Sequence, residues 1–168
     1  RAILAAAVLA AGLATPAAAA PPPKLSIASY AQLKTPLPYP YDERANATAA
    51  LDRALARAKA TNKRVLIDMG GNWCGDCRIL AATMDLPEMR SFLARHFEVV
   101  LVDIGRMDKN LQIPARYGVT ELVGVPALLV VDPQTGKQLV GKAQVADLAD
   151  ARHMAPQDLA NWLAKYTK

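Results

Sequence analysis

The sequence predicts an α/β domain, a central mixed β-sheet flanked by helices. Two short apolar runs read as buried strands, 65–69 as a central one and 97–104 as a second. The chain between them carries helical patterns, so these strands should run parallel through a crossover. A third run, 127–131, is followed by Asp132-Pro133-Gln134-Thr135-Gly136. That turn signal should fold 137–140 back as an antiparallel hairpin strand.

The elements follow in order. Ala47, Leu51, Leu55 and Ala58 form one apolar stripe, giving a helix over about 42–59 that ends at Asn62-Lys63. After strand 65–69, Gly70-Gly71-Asn72 is a turn. A helix over about 74–84 should stop before Leu86-Pro87. A short helix near 88–95 leads into strand 97–104. Residues 111–117 read as one or two helical turns, stopped by Gly118. Gly124-Val125-Pro126 introduces the third strand. Pro156 fits the first turn of a last helix, with Leu159, Trp162, Leu163 and Tyr166 on its apolar side.

With 168 residues the chain has room for one well-filled domain and too little for two ordinary ones. The net charge of +5 is spread among acidic residues without a basic cluster, which argues against nucleic-acid binding. Residues 1–19 read as a signal peptide: Arg1, an apolar run from Ala2 to Leu13, and Ala17-Ala18-Ala19 as a small-residue cleavage pattern. An export signal places the chain in an oxidising compartment such as a bacterial periplasm. Residues 20–41 hold six prolines and read as an extended arm outside the core, which Tyr39 and Tyr41 could pin to the surface. The folded domain is then 42–168.

Cys74 and Cys77 are the only cysteines. A Cys-x-x-Cys pair fits half a metal site, a structural disulfide or a redox dithiol. A closed zinc site needs four ligands, and His96 and His153 are not spaced as a ligand couple. A bridge across so short a loop constrains little chain. A redox dithiol fits best, because a strand, a glycine turn and a helix start place Cys74 where free backbone N–H groups and the helix dipole favour a thiolate. Cys77, one turn deeper, could then resolve a mixed disulfide. Gly75 would let a substrate chain approach.

The stretch from Val65 to Arg78, with Trp73-Cys74-Gly75-Asp76-Cys77 at its centre, resembles the active-site region of thioredoxins. The segments 115–119 and 124–130 resemble later parts of that family. The resemblance implies a thioredoxin-like three-layer fold over about 45–168. It also implies roles. Asp68 matches the buried acid that handles the proton of the resolving cysteine. A carboxylate in an apolar strand is costly unless used, and burial raises its pKa toward general-base range. Trp73 matches the tryptophan that shapes the docking surface. Pro126 matches a cis-proline facing the dithiol, which would leave the Val125 backbone free to pair with an extended client segment.

The sequence departs from that family at four points. Asp76 stands where thioredoxins usually carry proline. Its charge should oppose ionisation of Cys74 and make the pair more reducing, with Arg78 next door as a partial counter-charge. Met69-Gly70 replaces an aromatic pair and should open the loop. Leu101 stands where a lysine often partners the buried acid. Residues 144–154 add chain before the last helix, where client specificity could lie.

The predicted function is a periplasmic thiol–disulfide reductase. Cys74 is the nucleophile, Cys77 resolves and Asp68 moves the proton, while Trp73, Gly75, Asp76, Val125 and Pro126 bind substrate. No metal or organic cofactor is required. The expected partners are protein or peptide disulfides and an electron-donating redox protein, a membrane-bound one among the candidates. The protein is expected to be a monomer. The alternatives are a disulfide-donating oxidase of protein folding and a redox-inert thioredoxin-fold binding or chaperone module.

Overall fold

A computed structural model of the chain describes residues 18–168. The leader read over 1–19 therefore lies, apart from Ala18 and Ala19, outside the described residues.

Helix α1 (Ala47–Ala60) starts at Asn46, whose side chain accepts the Ala49 N–H at 2.9 Å. It buries Ala47, Leu51, Ala54 and Ala58. Leu55, expected on that stripe, is only half-buried because Ala54 faces the core in its place. Asn62, in the left-handed region at φ 54°, turns the chain into strand β1 (Arg64–Gly70). Val65, Leu66, Ile67 and Met69 are fully buried, so β1 is covered on both faces. Burying side chains of this size contributes about 1.5–3 kcal/mol each.

Helices α2 (Gly75–Met84) and α3 (Pro87–His96) form the crossover to β2 (Phe97–Asp103). As expected, β1 and β2 are parallel, and the register sets Asp68 beside Leu101. Helix α4 is a single turn (Gln112–Ala115), shorter than the 111–117 expected, and Gly118 at φ 76° terminates the segment. Strand β3 (Ala127–Asp132) pairs antiparallel with β1 on its other side. The Asp132 side chain accepts the Gln134 N–H and organises the turn into β4 (Lys137–Gln138). Helix α5 (Pro156–Ala164) closes the chain. The strand order is β2-β1-β3-β4, with the helices flanking the sheet and β2 at an edge, so the reading of 97–104 as a buried strand is corrected: Glu98 and Val99 are half-buried and Leu101 is exposed. This is the three-layer α/β architecture expected.

The reading of 20–41 as an arm outside the core needs correction. Leu25, Leu33 and Tyr41 are buried, and Leu25 and Tyr41 join the core cluster. Extended proline-rich backbone cannot satisfy its own carbonyls, and side chains of the domain supply the donors. Gln157 donates to Pro23 O at 3.0 Å. Arg78 donates to Leu37 O at 2.7 Å and Pro38 O at 3.0 Å. Asn72 and Tyr41 exchange two hydrogen bonds, at 2.8 and 3.1 Å. The arm therefore runs from α5 across α2 to the turn that carries the cysteines. The segment 144–154 is also packed: Val145, Leu148 and Ala151 are buried, and a short 3₁₀ turn (Ala151–His153) lies against α2.

Candidate active site

Strand β1 delivers the site and helix α2 receives it. The turn Gly71–Trp73 closes when the Cys74 N–H donates to Gly71 O at 3.0 Å. Cys74 then caps α2: its sulfur accepts the Cys77 backbone N–H at 3.1 Å. A charged sulfur there would receive this bond and the positive end of the helix dipole. Cys74 and Cys77 are joined in a disulfide, with Cα atoms 5.3 Å apart. Cys74 is 5% exposed and Cys77 0%, so Cys74 is the less buried of the two.

Across from the dithiol, the Val125–Pro126 bond is cis, and Cys74 Sγ lies 3.6 Å from Val125 O. Trp73 is 45% exposed. Its indole N–H donates to Gly105 O at 2.7 Å, and the Arg106 guanidinium lies 4.8 Å from the ring centroid. The ring is thus held by its edge while one face stays at the surface.

Asp68 is fully buried. Tyr41 Oη donates to its Oδ1 at 2.9 Å, and Oδ2 has no partner among the described residues. Burial pushes the carboxyl up to about 7, against the lowering effect of the tyrosine hydrogen bond. The same burial, with the Asp68 charge beside it, drives the Tyr41 hydroxyl well above the ordinary phenol value. The position beside Asp68 in β2 is indeed Leu101, but the acid is not left alone: the arm supplies a neutral donor in place of a cation.

The expectation of an open loop at Met69-Gly70 is corrected by the same tyrosine. Met69 is fully buried. A methyl group on Gly70 would collide with Tyr41 Oη and would stand 2.7 Å from Cys77 Sγ. The space left by the missing side chain is filled from the arm and from α2.

Asp76 is corrected as well. It is not a free charge facing a client or Cys74. Arg152 grips it through Nε to Oδ1 at 3.0 Å, Nη2 to Oδ2 at 2.7 Å and backbone N–H to Oδ1 at 2.9 Å. Burial alone would raise the Asp76 carboxyl, but these hydrogen bonds and the guanidinium charge hold it below the usual range. The counter-charge is Arg152 and not Arg78, which is committed to the arm. Arg152 also covers Gly75: a β-carbon there would lie 3.0 Å from its Nη2. The open approach expected over Gly75 is therefore occupied by a side chain.

The structure thus brings Cys74, Cys77, Asp68, Val125 and Pro126 together and leaves Trp73 at the rim. Sequence reasoning missed Tyr41 as the partner of Asp68, for which no local signal exists. It also missed Arg152, although an acid in place of proline and a basic residue in inserted chain were both visible. Among the described residues no group of three His, Cys, Asp or Glu is placed to hold a metal ion.

Comparison with known proteins agrees with this geometry. A family model described as thioredoxin-like matches residues 46–133, from the start of α1 to the end of β3. The chain is 39% identical to the crystal structure of a disulphide isomerase from Xylella fastidiosa Temecula1; the match covers 77% of this chain and 97% of that one, with a TM-score of 0.71. It is 29% identical over 105 residues to a thioredoxin of Alicyclobacillus acidocaldarius subsp. acidocaldarius, covering 58% of this chain and 92% of that protein. A cysteine pair at a helix start, an acid buried beneath it and a proline loop across from it lie inside the matched region, and the chain belongs to the thioredoxin-like family as a thiol–disulfide oxidoreductase.

Proposed function

We propose that the protein works as a reductase of protein disulfides in the bacterial periplasm, to which residues 1–19 direct it. One observation carries the reading. Cys77 and Asp68, whose carboxyl sits near 7, are fully buried, and Cys74 is the less buried of the two cysteines. This arrangement suits a two-step exchange in which the second cysteine must lose a proton at neutral pH.

In the reduced protein the Cys74 thiolate attacks one sulfur of a client disulfide. The client's S–S bond breaks, a Cys74–client bond forms, and the departing client thiolate takes a proton from water. Cys77 then passes its proton to Asp68 and attacks Cys74 Sγ. The Cys74–Cys77 bond forms and the second client thiolate leaves. The client gains two electrons and the protein loses them. The cis Val125–Pro126 loop offers the Val125 backbone to an extended client segment beside the sulfur. A thiol-bearing redox partner, a membrane-bound one for a periplasmic protein, must return the electrons.

The direction rests on charge. Asp76 and Arg152 cancel, so a Cys74 thiolate has little beyond the helix start to stabilise it. A strong oxidant needs more than that. The deciding measurement is the equilibrium potential of the Cys74–Cys77 pair against a dithiothreitol or glutathione buffer. A value near or below the thioredoxin figure of about −270 mV is expected, and a value near about −120 mV would sink the reductase reading. Export is tested by fusing residues 1–168 to a reporter that is active only outside the cytoplasm; a silent fusion would remove the periplasmic assignment.

A second reading, isomerisation, is favoured by the similarity to the Xylella fastidiosa disulphide isomerase. It uses the same first attack. Recovery of activity from a scrambled disulfide protein without a net change in thiols would select it over reduction.

A further inference from the structure

Two features of β1 put a phenol where the second half-reaction needs a proton carrier. Asp68 and Gly70 are two residues apart on one strand, so their side-chain positions share a face. On that face Tyr41 Oη donates to Asp68 Oδ1 at 2.9 Å. The same oxygen borders the gap at Gly70, and so does Cys77 Sγ. In the disulfide form neither Asp68 nor Tyr41 is hydrogen-bonded to Cys77; the tyrosine hydroxyl is bonded to Asp68 and shares the side-chain position of Gly70 with Cys77 Sγ.

The geometry points to Tyr41, delivered by the proline-rich arm, as the relay that carries the Cys77 proton to Asp68. The inference rests on the exchange reading above. As Cys77 ionises, its S–H bond breaks and a new O–H bond forms at Tyr41. The original Tyr41 O–H proton moves to Asp68 Oδ1. One proton has passed from sulfur to carboxylate and Tyr41 is neutral again. In the reverse direction, when a thiol reduces the disulfide and Cys77 leaves as thiolate, the proton returns along the same path.

Three observations favour this over simple packing. The hydroxyl is buried with its ring in the core, where a Phe would fill the same volume without burying a polar group. Among the described residues it is the one hydrogen-bond partner of the Asp68 side chain. Gly70 lets the phenol and the sulfur share the position of its missing side chain, since a methyl group there would collide with both. The other charge that reaches Tyr41 is Asp103, which is paired with Lys109 at 2.7 Å.

The test is the two-phase reaction of the reduced full chain with 5,5′-dithiobis(2-nitrobenzoate). The first release of thionitrobenzoate reports attack by Cys74 and the second reports resolution by Cys77. Tyr41→Phe is expected to leave the first phase within about twofold. It should slow the second about 10- to 100-fold at pH 7, at or below the low end of general acid–base effects. The double variant Tyr41→Phe/Asp68→Asn should be no slower than Asp68→Asn alone, because both remove one path. A second phase in Tyr41→Phe with the wild-type rate and pH profile would overturn the relay. If that variant does not fold, 3-fluorotyrosine at position 41 keeps the hydrogen bond on a more acidic hydroxyl. The second-phase pH profile should then move to lower pH, and an unmoved profile would again overturn it. A wild-type protein that releases only one equivalent fails the exchange reading itself, a result distinct from a fast Tyr41→Phe.

Discussion

The strand–turn–helix over 64–84 and the two segments that press on it, 20–41 and 144–154, contribute differently to the site. The first places both sulfurs and both acids by local rules: an apolar strand, a glycine turn and a helix start. The other two answer the acids. Tyr41 from the arm binds Asp68 and Arg152 from the insertion binds Asp76. Each acid sits within ten residues of Cys74, and each partner lies at least 27 positions away from its acid in the chain. The motif region thus supplies nucleophiles, while the flanks set the charge and proton balance around them.

The sharpest separation of these roles is at the sulfurs. Cys74→Ser is expected to abolish exchange, and Cys77→Ser to accumulate a Cys74–client mixed disulfide visible by mass. Neither should disturb the flanks, since amide exchange over 20–41 and 144–154 should stay as in the wild type. Residual turnover in Cys74→Ser would mean that the dithiol is not the reacting centre.

Next in size is Asp68→Asn, expected to slow the second, Cys77-dependent release about 100-fold, in the usual range for a general acid–base group. The same change reads the carboxyl's environment through stability. The folded carboxyl titrates near 7 and an unfolded one near 3.8. Between those values the native state binds the extra proton, so this group's contribution is fully present below the unfolded value and is lost as pH rises through the folded one. By pH 8 the wild type carries a cost on the order of 4 kcal/mol that Asn lacks. Urea midpoints of the two proteins should therefore diverge between pH 5 and pH 8, with Asn gaining on Asp. A pH-independent difference would show that Asp68 is not a strained buried acid.

The Asp76–Arg152 pair should tune potential by about tenfold in the exchange equilibrium, which is about 30 mV for a two-electron couple. Arg152→Ala bares the Asp76 charge, disfavours the thiolate and should lower the potential. Asp76→Asn leaves the guanidinium over Gly75 uncompensated and should raise it. The double variant should return near the wild type. Shifts of the same sign in both single variants would break the picture of a cancelling pair.

These effects also show where the sequence could be read and where it could not. The apolar runs revealed β1, β2, β3 and the parallel crossover; in β1 and β3 burial on two faces leaves a continuous apolar signature, whereas β2 is an edge strand with Leu101 exposed. Cys74 at the N-terminus of α2 followed from a strand and glycines before it. Tyr41 could not be found that way. Its role depends on where an irregular, proline-rich segment is laid across α2, and no periodicity encodes that path. The absence of a lysine at Leu101 was visible, but not that a phenol from the arm fills the vacancy. Asp76 was read through its nearest cation in sequence, Arg78, whereas side chains two apart on a helix do not face each other. Arg78 points to the arm and Arg152 reaches Asp76 from 76 residues away.

The smallest effect tests how firmly the arm is coupled to the site. Tyr39 is largely exposed, and the Arg78 guanidinium lies 4.0 Å from its ring centroid. A cation–π contact at such a site contributes about 0.5–1 kcal/mol, so Tyr39→Ala should lower the unfolding free energy by no more than that. Arg78 keeps its two carbonyl partners in this variant, and Asn72 still holds Tyr41 by its backbone. Both phases of thionitrobenzoate release should therefore match the wild type. A slowed second phase with an unchanged first would carry a different meaning. The phenol of Tyr41 would then owe its position to the ring two residues before it, and the whole stretch from Leu37 to Tyr41 would belong to the proton path rather than merely fasten the arm to the domain.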